Sequence, residues 1–337
     1  MLRFFDDTAT SAVVLAQQVR QQLKSPLLKV AQQPLTPTST RSNVLLGQRL
    51  MTTLANSPLP TQLPAPPTDS RVVRRSVGND TLTGGNLNDL LLAGRGNDTV
   101  NGGEGNDWLF AGTTDPQGNG TLNGNGGFDV LIAGVGNDTL NGNGNNDWLF
   151  GYRNNDTLNG NEGDDRLFAG DGNNTLNGNG GNDLLVAGPK DDTLNGNEGN
   201  DTYAWGKGDA NDLINESAGD DDRLLIKQGV TADQLLLGVA FETEGDHAGQ
   251  WRDLKVGIAG TTDSVTINNQ FVGTDKGVET LELWNGKSIT QTELNALIGS
   301  MQWHAEQGDT PTDISDLSAI EANPTLRNII AQAFASS

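Results

Sequence analysis

Residues 102–110 read Gly-Gly-Glu-Gly-Asn-Asp-Trp-Leu-Phe, and versions of this nine-residue pattern follow one another from Arg75 to Ala204. The eighth position of the pattern is apolar in all fourteen repeats, beginning with Leu82 and ending with Tyr203. A fixed short period predicts a solenoid, because each repeat can bury its apolar residue only by stacking on its neighbours. One inward side chain per repeat fits a strand of about three residues, and the glycines fit the turns between strands. The chain is therefore expected to coil.

Neighbouring repeats alternate between two types, one ending in Thr-Leu-Asn like residues 139–141 and one ending in large apolar residues like 148–150. The structural period is therefore eighteen residues, with two strands in each coil. This arrangement predicts an all-β fold, a parallel β-roll with 18 residues per coil and two sheets that face each other. A four-residue insertion around residues 113–116 breaks the period once and is expected to bulge from a turn.

Aspartate occupies the sixth position of most repeats, in the turn just before each strand. The eighteen-residue period places these residues in two columns, one along each edge of the roll. Stacked carboxylates would repel one another unless a divalent cation lies between successive coils. Glycine-rich turns leave backbone carbonyl oxygens available for an all-oxygen shell, which is the ligand set that Ca²⁺ prefers. The predicted calcium ligands are Asp80, Asp98, Asp138, Asp156 and Asp192 on one edge and Asp89, Asp107, Asp129, Asp147, Asp165, Asp183 and Asp201 on the other.

The two edges differ in how complete their aspartate columns are. The column that ends at Asp201 has no gap, and we call it the continuous edge. The column that ends at Asp192, the interrupted edge, has Gly120 and Asn174 in place of aspartate. The continuous edge is therefore expected to bind calcium best, and the sites at Gly120 and Asn174 are expected to be weak or missing.

The repeats resemble those of the repeats-in-toxin (RTX) family of haemolysin-type calcium-binding proteins, whose nonapeptide is G-G-x-G-x-D-x-U-x with U a large apolar residue. The resemblance covers residues 75–204 and implies that several calcium ions are bound. The sequence departs from the family pattern with Asn125, Asn143, Asn161, Asn179 and Asn197 at the second position and with Leu87, Asn154 and Lys190 at the fourth. Calcium is expected to bind more weakly in those turns.

Beyond the repeats, residues 199–209 are similar to the exit from the roll in RTX proteins, and segments 263–267 and 278–283 are similar to the β-rich cap that follows it. The resemblance implies a two-sheet right-handed β-solenoid with a C-terminal β-rich cap and short terminal helices. It also implies export through a type I secretion apparatus that reads an uncleaved signal in the tail. An amphipathic helix pattern after Pro324 fits such a signal, and a helix that only docks on the cap is the alternative.

Charge divides the chain, with a net +6 over residues 1–76 and −28 over residues 77–337. The acidic part favours cations over nucleic acid as a partner. The sequence has no cysteine, which excludes disulfides and thiolate metal sites. We expect no membrane span, and the apolar run 12–16 is too short for a cleaved signal peptide. The body is expected to stay unfolded where calcium is scarce and to fold on calcium after secretion, outside the cell or at its surface.

The expected organisation has five segments. They are a basic, partly helical arm at 1–56 with short helices near 8–23 and 43–55, a proline-rich linker at 57–74, the calcium-binding roll at 75–204, a β-rich capping domain at 205–303, and a helical tail at 304–337 that carries the secretion signal. Proline blocks regular strand pairing, so the linker is expected to be extended.

The two sheets are expected to present different outer surfaces. One carries rows of Thr and Asn, which fit an exposed strand and its turn entry better than an ice-binding array. The other carries large apolar side chains such as Trp108 and Trp148. An exposed apolar face predicts either cover by the N-terminal arm or a partner, through self-association or a cell-surface or glycan ligand.

The sequence carries no recognisable catalytic motif. His247 and His304 form no HExxH motif, and residues 215–219 miss the GxSxG nucleophile elbow at its first position. We therefore expect a protein that is not an enzyme. Three classes stay open: a secreted calcium-binding protein of adhesion, matrix or surface layers, a calcium-binding export module linked to a toxin, hydrolase or epimerase, and an ice- or glycan-binding roll.

Overall fold

The computed structural model describes residues 72–74, 78–112, 118–219, 221–241, 251–272, 277–306 and 314–335. Across these ranges the chain forms two stacked sheets of eleven strands each, and most strand pairs are parallel. This architecture confirms the predicted β-roll. The N-terminal arm at 1–56 with its two helices, the linker up to residue 71 and the insertion at 113–116 lie outside the described residues.

One sheet, here called the apolar sheet, contains the short strands that carry large apolar residues. In spatial order these are β1 (Val72–Arg74), β3 (Leu90–Leu92), β5 (Trp108–Phe110), β7 (Val130–Ile132), β9 (Trp148–Phe150), β11 (Arg166–Phe168), β13 (Leu184–Val186), β15 (Thr202–Trp205), β17 (Arg223–Ile226), β21 (Thr280–Leu283) and β22 (Ser288–Thr290). Because β1 pairs with β3, the sheet begins at Val72, before the predicted start of the roll at residue 75.

The other sheet, the Thr/Asn sheet, is built mainly from strands that begin with threonine. In spatial order these are β18 (Leu235–Phe241), β19 (Trp251–Ile258), β20 (Ser264–Asn268), β16 (Asn211–Asn215), β14 (Thr193–Glu198), β12 (Thr175–Gly180), β10 (Thr157–Glu162), β8 (Thr139–Gly144), β6 (Thr121–Gly126), β4 (Thr99–Glu104) and β2 (Thr81–Gly85). Most of the repeat strands here are six residues long, which is longer than predicted. The chain stays paired through the first three positions of the next repeat, where Asn161 adopts the left-handed φ of 79° that asparagine tolerates.

Strand register confirms the eighteen-residue coil. Leu158 lies opposite Leu176, and across the insertion Thr99 lies opposite Thr121. The eighth-position side chains point between the two sheets and are buried along the whole roll, from Leu82 to Tyr203. The core is therefore one continuous row of stacked apolar residues.

The C-terminal region continues both sheets of the roll. Strands β16 and β20 extend the Thr/Asn sheet, and β17 and β21 extend the apolar sheet, all in parallel pairs. Antiparallel pairing then ends each sheet, because β19 turns back on β20 and on β18, and β22 turns back on β21. The two predicted cap segments fall on β20 and β21, which confirms the predicted β-rich cap.

Short helices cover the end of the cap. A 3₁₀ helix (Ala232–Gln234) precedes β18, and helices α1 (Gln291–Glu306), α2 (Leu317–Glu321) and α3 (Pro324–Ala335) follow β22. The helix predicted after Asn323-Pro324 is confirmed as α3, and Asn323 Oδ1 accepts a hydrogen bond of 3.0 Å from the Thr325 backbone N–H. In the part of the chain that the structure describes, no helix has the length and apolar character needed to cross a membrane.

Candidate metal centre

The predicted calcium ligands lie in two columns, and each carboxylate is tied to the coil before it. The Asp129 backbone N–H, for example, donates a hydrogen bond of 2.7 Å to Asp147 Oδ1. On the continuous edge this link recurs from Asp89 to Asp201 and goes one step further, to Asp222. These hydrogen bonds fix the orientation of each carboxylate and leave Oδ2 as its remaining acceptor.

The Oδ2 atoms of the continuous edge face the interior of the turns. They are buried and accept no hydrogen bond in Asp107, Asp129, Asp147, Asp165, Asp183 and Asp201. A buried acceptor without a partner costs about 1–3 kcal/mol, and more when it is charged. The folded roll therefore contains a row of buried carboxylate oxygens whose charge must be compensated by bound cations or by protons.

The space next to each of these oxygens suits a small oxygen-bound ion. A Cβ atom built on Gly142 would collide with Asp147 Oδ2 and would lie 2.8 Å from the Gly160 carbonyl oxygen of the next coil. The first-position glycine thus leaves open a space that a carboxylate and a backbone carbonyl share. Ca²⁺ binds oxygen ligands of these two kinds, so the residues present fit calcium.

Burial also makes the ionised carboxylates unstable without a cation. Burial raises the pKa of Asp147 to about 9, against the lowering effect of the hydrogen bond from the Asp129 backbone. The charges of Asp129 and Asp165 contribute to the same rise of the pKa. At neutral pH such a carboxyl group is therefore protonated unless a positive ion compensates its charge.

The interrupted edge satisfies part of its own carboxylates. Asp138 Oδ2 accepts a hydrogen bond of 2.8 Å from the Gly134 backbone N–H, and Asp192 Oδ2 accepts one of 2.9 Å from Gly188. The Oδ2 atom of Asp156 is buried without a hydrogen-bond partner, as it is on the continuous edge. The need for added cations is therefore lower and less regular along this edge.

The two gaps in the interrupted edge differ from each other. Gly120 offers no side chain to the column. Asn174 keeps the column link, because its Oδ1 accepts a hydrogen bond of 2.8 Å from the Asp156 backbone N–H. Its Nδ2 donates a hydrogen bond of 3.0 Å to the Gly172 carbonyl oxygen in its own turn. The Asn174 amide thus occupies the column without a charge, and the weak or missing site expected there stays a prediction.

Two aspartates that the sequence period did not identify extend the columns. Asp192 N–H donates a hydrogen bond of 2.7 Å to Asp212 Oδ1, and Asp201 N–H donates one of 2.6 Å to Asp222 Oδ1. These links span 20 and 21 residues, so a search at a spacing of eighteen misses them. The signal that could have found them is an aspartate followed two residues later by an apolar strand residue, as in the repeats.

The outer face of the apolar sheet is little exposed around its aromatic residues. On this sheet Trp148, Phe150 and Phe168 are buried, with 6%, 2% and 2% exposure, and Trp108 is half-buried. The sequence predicted that this face needs either cover or a partner, and the low exposure contradicts neither alternative. Cover by the N-terminal arm concerns residues outside the described ranges and stays a prediction.

On the Thr/Asn sheet the asparagine row forms a ladder of side-chain hydrogen bonds. Each Nδ2 donates to the Oδ1 of the preceding coil, for example Asn159 to Asn141 at 2.8 Å and Asn177 to Asn159 at 2.7 Å. The ladder runs from Asn101 through the repeats to Asn268 in the cap. These amides hold neighbouring coils together, which gives the row a structural role.

Comparison with known protein families agrees with this geometry. The model of the RTX calcium-binding nonapeptide repeat matches residues 76–109, 117–149, 141–176, 150–185 and 177–210. The model of the haemolysin-type calcium binding protein related domain matches residues 253–293, and the two models together cover half of the chain. Among curated proteins, none matches the chain. The repeated aspartate turns and the two matches show that the chain carries RTX calcium-binding nonapeptide repeats, followed by a region that is similar to the haemolysin-type calcium binding protein related domain.

Proposed function

We propose that the protein is secreted and that its roll folds on calcium outside the cell, where it acts in adhesion, matrix or surface interaction. One observation carries the proposal: the buried Oδ2 atoms from Asp107 to Asp201 on the continuous edge accept no hydrogen bond from the residues that the structure describes. A roll of this kind is poorly stable until cations reach its turns. Calcium is scarce in the cytosol and roughly millimolar outside the cell, so folding follows export.

The aspartates and turn carbonyls of the chain would hold the ions. On the continuous edge, Asp107 to Asp201 supply the Oδ2 atoms, and the first-position glycines supply carbonyl oxygens. Calcium, when bound, neutralises the stacked carboxylates and joins successive coils. The remaining stability comes from the buried leucine row and the asparagine ladder, which the ions bring into register.

A calcium titration of the full-length protein tests this function. We expect circular dichroism to show little β-structure in a chelator and a cooperative gain on adding Ca²⁺. Mg²⁺ serves as the matched control, because it is smaller and gives up its water reluctantly, so it should be much less effective. The same spectrum in chelator and in millimolar calcium would contradict the proposal.

We further propose export by a type I secretion apparatus that reads the C-terminal tail. In the folded protein the apolar face of α3 is buried, with Leu326, Ile330 and Phe334 packed in the cap. The tail is therefore accessible for recognition only before the cap folds, which fits export of the calcium-free chain. Removing residues 317–337 should abolish secretion by a host that expresses such an apparatus, and unchanged secretion would overturn this part of the proposal.

The proposed role is binding and not catalysis. Two observations support it. The sequence has no recognisable catalytic motif, and most of the buried polar atoms without a hydrogen-bond partner are aspartate oxygens in the turns of the roll. Glycan and intact-cell binding, each measured with and without calcium, tests the role. Calcium-dependent binding supports it, whereas hydrolysis of a glycan or ester by the purified protein would replace it.

A further inference from the structure

Three carboxylates meet at the C-terminal end of the continuous edge, beyond the regular repeats. Asp201 belongs to the last repeat, Glu216 follows β16 and Asp222 precedes β17. Each contributes an oxygen atom, and these oxygens lie within 4.8 Å of one another. The three residues are buried, with exposures of 0%, 5% and 1%. A cluster of this charge inside the protein is strongly unfavourable unless something compensates it.

Two departures from the repeat pattern form the cluster. Asn215 lies opposite Asn195, so Glu216 corresponds to Gly196 of the preceding coil. Glutamate thus replaces the glycine at the first position of the turn. Tyr203 takes the eighth position, where the other repeats carry leucine or valine. The Tyr203 hydroxyl donates a hydrogen bond to Glu216 Oε2, and this short contact links the two replacements.

The glutamate is held in one orientation. Its Oε1 accepts hydrogen bonds from the backbone N–H groups of Ser217 (2.6 Å) and Ala218 (3.1 Å). Together with the Tyr203 hydroxyl, these donors aim the carboxylate at the end of the aspartate column. Glu216 is therefore fixed in place before any ion arrives.

Two buried oxygens of the cluster, Asp201 Oδ2 and Asp222 Oδ2, have no hydrogen-bond partner among the described residues. A Cβ atom built on Gly196 would collide with Asp201 Oδ2 and the Tyr203 hydroxyl oxygen and would lie 2.7 Å from Glu216 Oε2. These three oxygens thus surround one small space, and Asp222 supplies an oxygen within 4.8 Å of the other two carboxylates. The unpartnered oxygens are an observation independent of the cluster's charge.

The interrupted edge ends in a different way. There the Lys227 ammonium group donates hydrogen bonds of 2.5 Å to the Ala187 carbonyl oxygen and 2.8 Å to Asp209 Oδ2. That end of the roll carries a cation supplied by the chain itself. The end of the continuous edge carries three acids, so its positive charge has to come from solution.

We propose that Asp201, Glu216 and Asp222 bind one additional calcium ion that fastens the last coil of the roll to the segment leading into the cap. Three carboxylates and the Tyr203 hydroxyl form an all-oxygen set, which favours a hard divalent cation. The site also touches the cap, because the Asp222 backbone N–H donates a hydrogen bond of 2.7 Å to Glu279 Oε2. The identity of the ion rests on the proposed function, but two of the three ligands, Glu216 and Asp222, lie outside the repeats.

The test compares Glu216→Gln with Glu198→Gln in the full-length protein. Both variants remove one negative charge, but Glu198 is exposed in the strand just before Asp201. We expect Glu216→Gln to bind one calcium ion fewer than wild type, or to bind it at least about tenfold more weakly, in calorimetry and equilibrium dialysis. Hydrogen exchange in calcium should then be faster in β16, β17 and β21. The Glu198→Gln variant should match wild type in both measurements.

The outcomes separate this site from the proposed function. If wild type fails to fold on calcium, the proposed function fails. If wild type folds on calcium and Glu216→Gln binds the same number of ions with the same affinities, the site is disproved. Tyr203→Phe provides a second variant that preserves the ring in case Glu216→Gln does not fold. It should weaken the same single site while leaving the circular dichroism of the calcium-bound roll unchanged, and unchanged affinity would count against the site.

Discussion

The backbone N–H of Asp147 donates a hydrogen bond of 2.6 Å to Asp165 Oδ1, one coil further along the chain. Asp165 Oδ2, on the same carboxylate, is buried and accepts no hydrogen bond. On the continuous edge, folding of the roll therefore gives one oxygen of each carboxylate from Asp107 to Asp201 a hydrogen-bond donor and leaves the other oxygen without one. Whatever compensates that second oxygen, a calcium ion or a proton, decides whether the coil is stable.

Protons should partly replace calcium at acid pH. Burial raises the pKa of Asp183 to about 7 and that of Asp147 to about 9, from an ordinary value of 3.8. A folded-state pKa above the unfolded value adds stability that is complete below the unfolded pKa and is lost as pH rises through the folded pKa. We expect the chelated protein to gain β-structure in circular dichroism as pH falls from about 8 to about 5.

Light scattering in the same titration controls for aggregation, because the sequence has a pI near 4.2. A chelated protein whose β-structure decreases on acidification would show that the buried carboxyl groups do not control folding.

The Asn174→Asp variant should gain a calcium site and should also become less stable when calcium is absent. The variant loses the hydrogen bond from Asn174 Nδ2 to the Gly172 carbonyl oxygen and gains a carboxylate in the column. In chelator at neutral pH, the folded state should lose about 1–3 kcal/mol, because a buried acceptor is left unsatisfied. With calcium, calorimetry should detect one more bound ion. Asn173→Asp, at an exposed neighbouring position, is the matched control and should change neither quantity.

Gly178→Ala should damage the continuous edge where Gly180→Ala does not. A Cβ atom on Gly178 would collide with Asp183 Oδ2 and lie 2.9 Å from the Gly196 carbonyl oxygen. On Gly180 it would meet only Asn161 O, at 3.7 Å. Overpacking of this kind costs about 1–3 kcal/mol, and here it also fills the space for an ion. The calcium midpoint of folding should rise for Gly178→Ala only, and equal midpoints would rule out an ion next to this glycine.

Deleting residues 1–70 tests what covers the apolar sheet. Phe150 and Phe168 stack with ring centroids 4.8 Å apart and are buried in the full chain. If the arm covers them, the truncated protein in calcium should bind a hydrophobic dye and associate, as measured by light scattering. Serine at both positions in the truncated protein should restore the monomer. If the truncated protein is monomeric and binds no dye, residues other than 1–70 cover the apolar sheet.

Much of the fold could be predicted from one repeat. A nine-residue pattern with an apolar eighth position and alternating repeat types fixes the coil, the sheets and the aspartate columns, because each coil depends only on its neighbours. Asp212 and Asp222 were missed because insertions shift their spacing while the column continues in space. Glu216 resembles any acidic residue after a strand, and only the register with Gly196 reveals its position. Trp148 packs on Phe168 and Arg166 of the next coil, and the nine-residue pattern does not show how far these contacts bury it.

The repeated register also makes the roll a linear array with nearest-neighbour coupling. Strand β10 pairs only with β8 and β12, so a coil is stabilised by the coil before it and the coil after it. Such an array opens most easily at a free end or at a weak junction. Gly120 is a junction of this kind, because it offers no side chain to the column, whereas the asparagine ladder anchors the far end to Asn268. Loss of calcium should therefore unzip the roll in blocks from its N-terminal end, and the stretch beside the cap should open last.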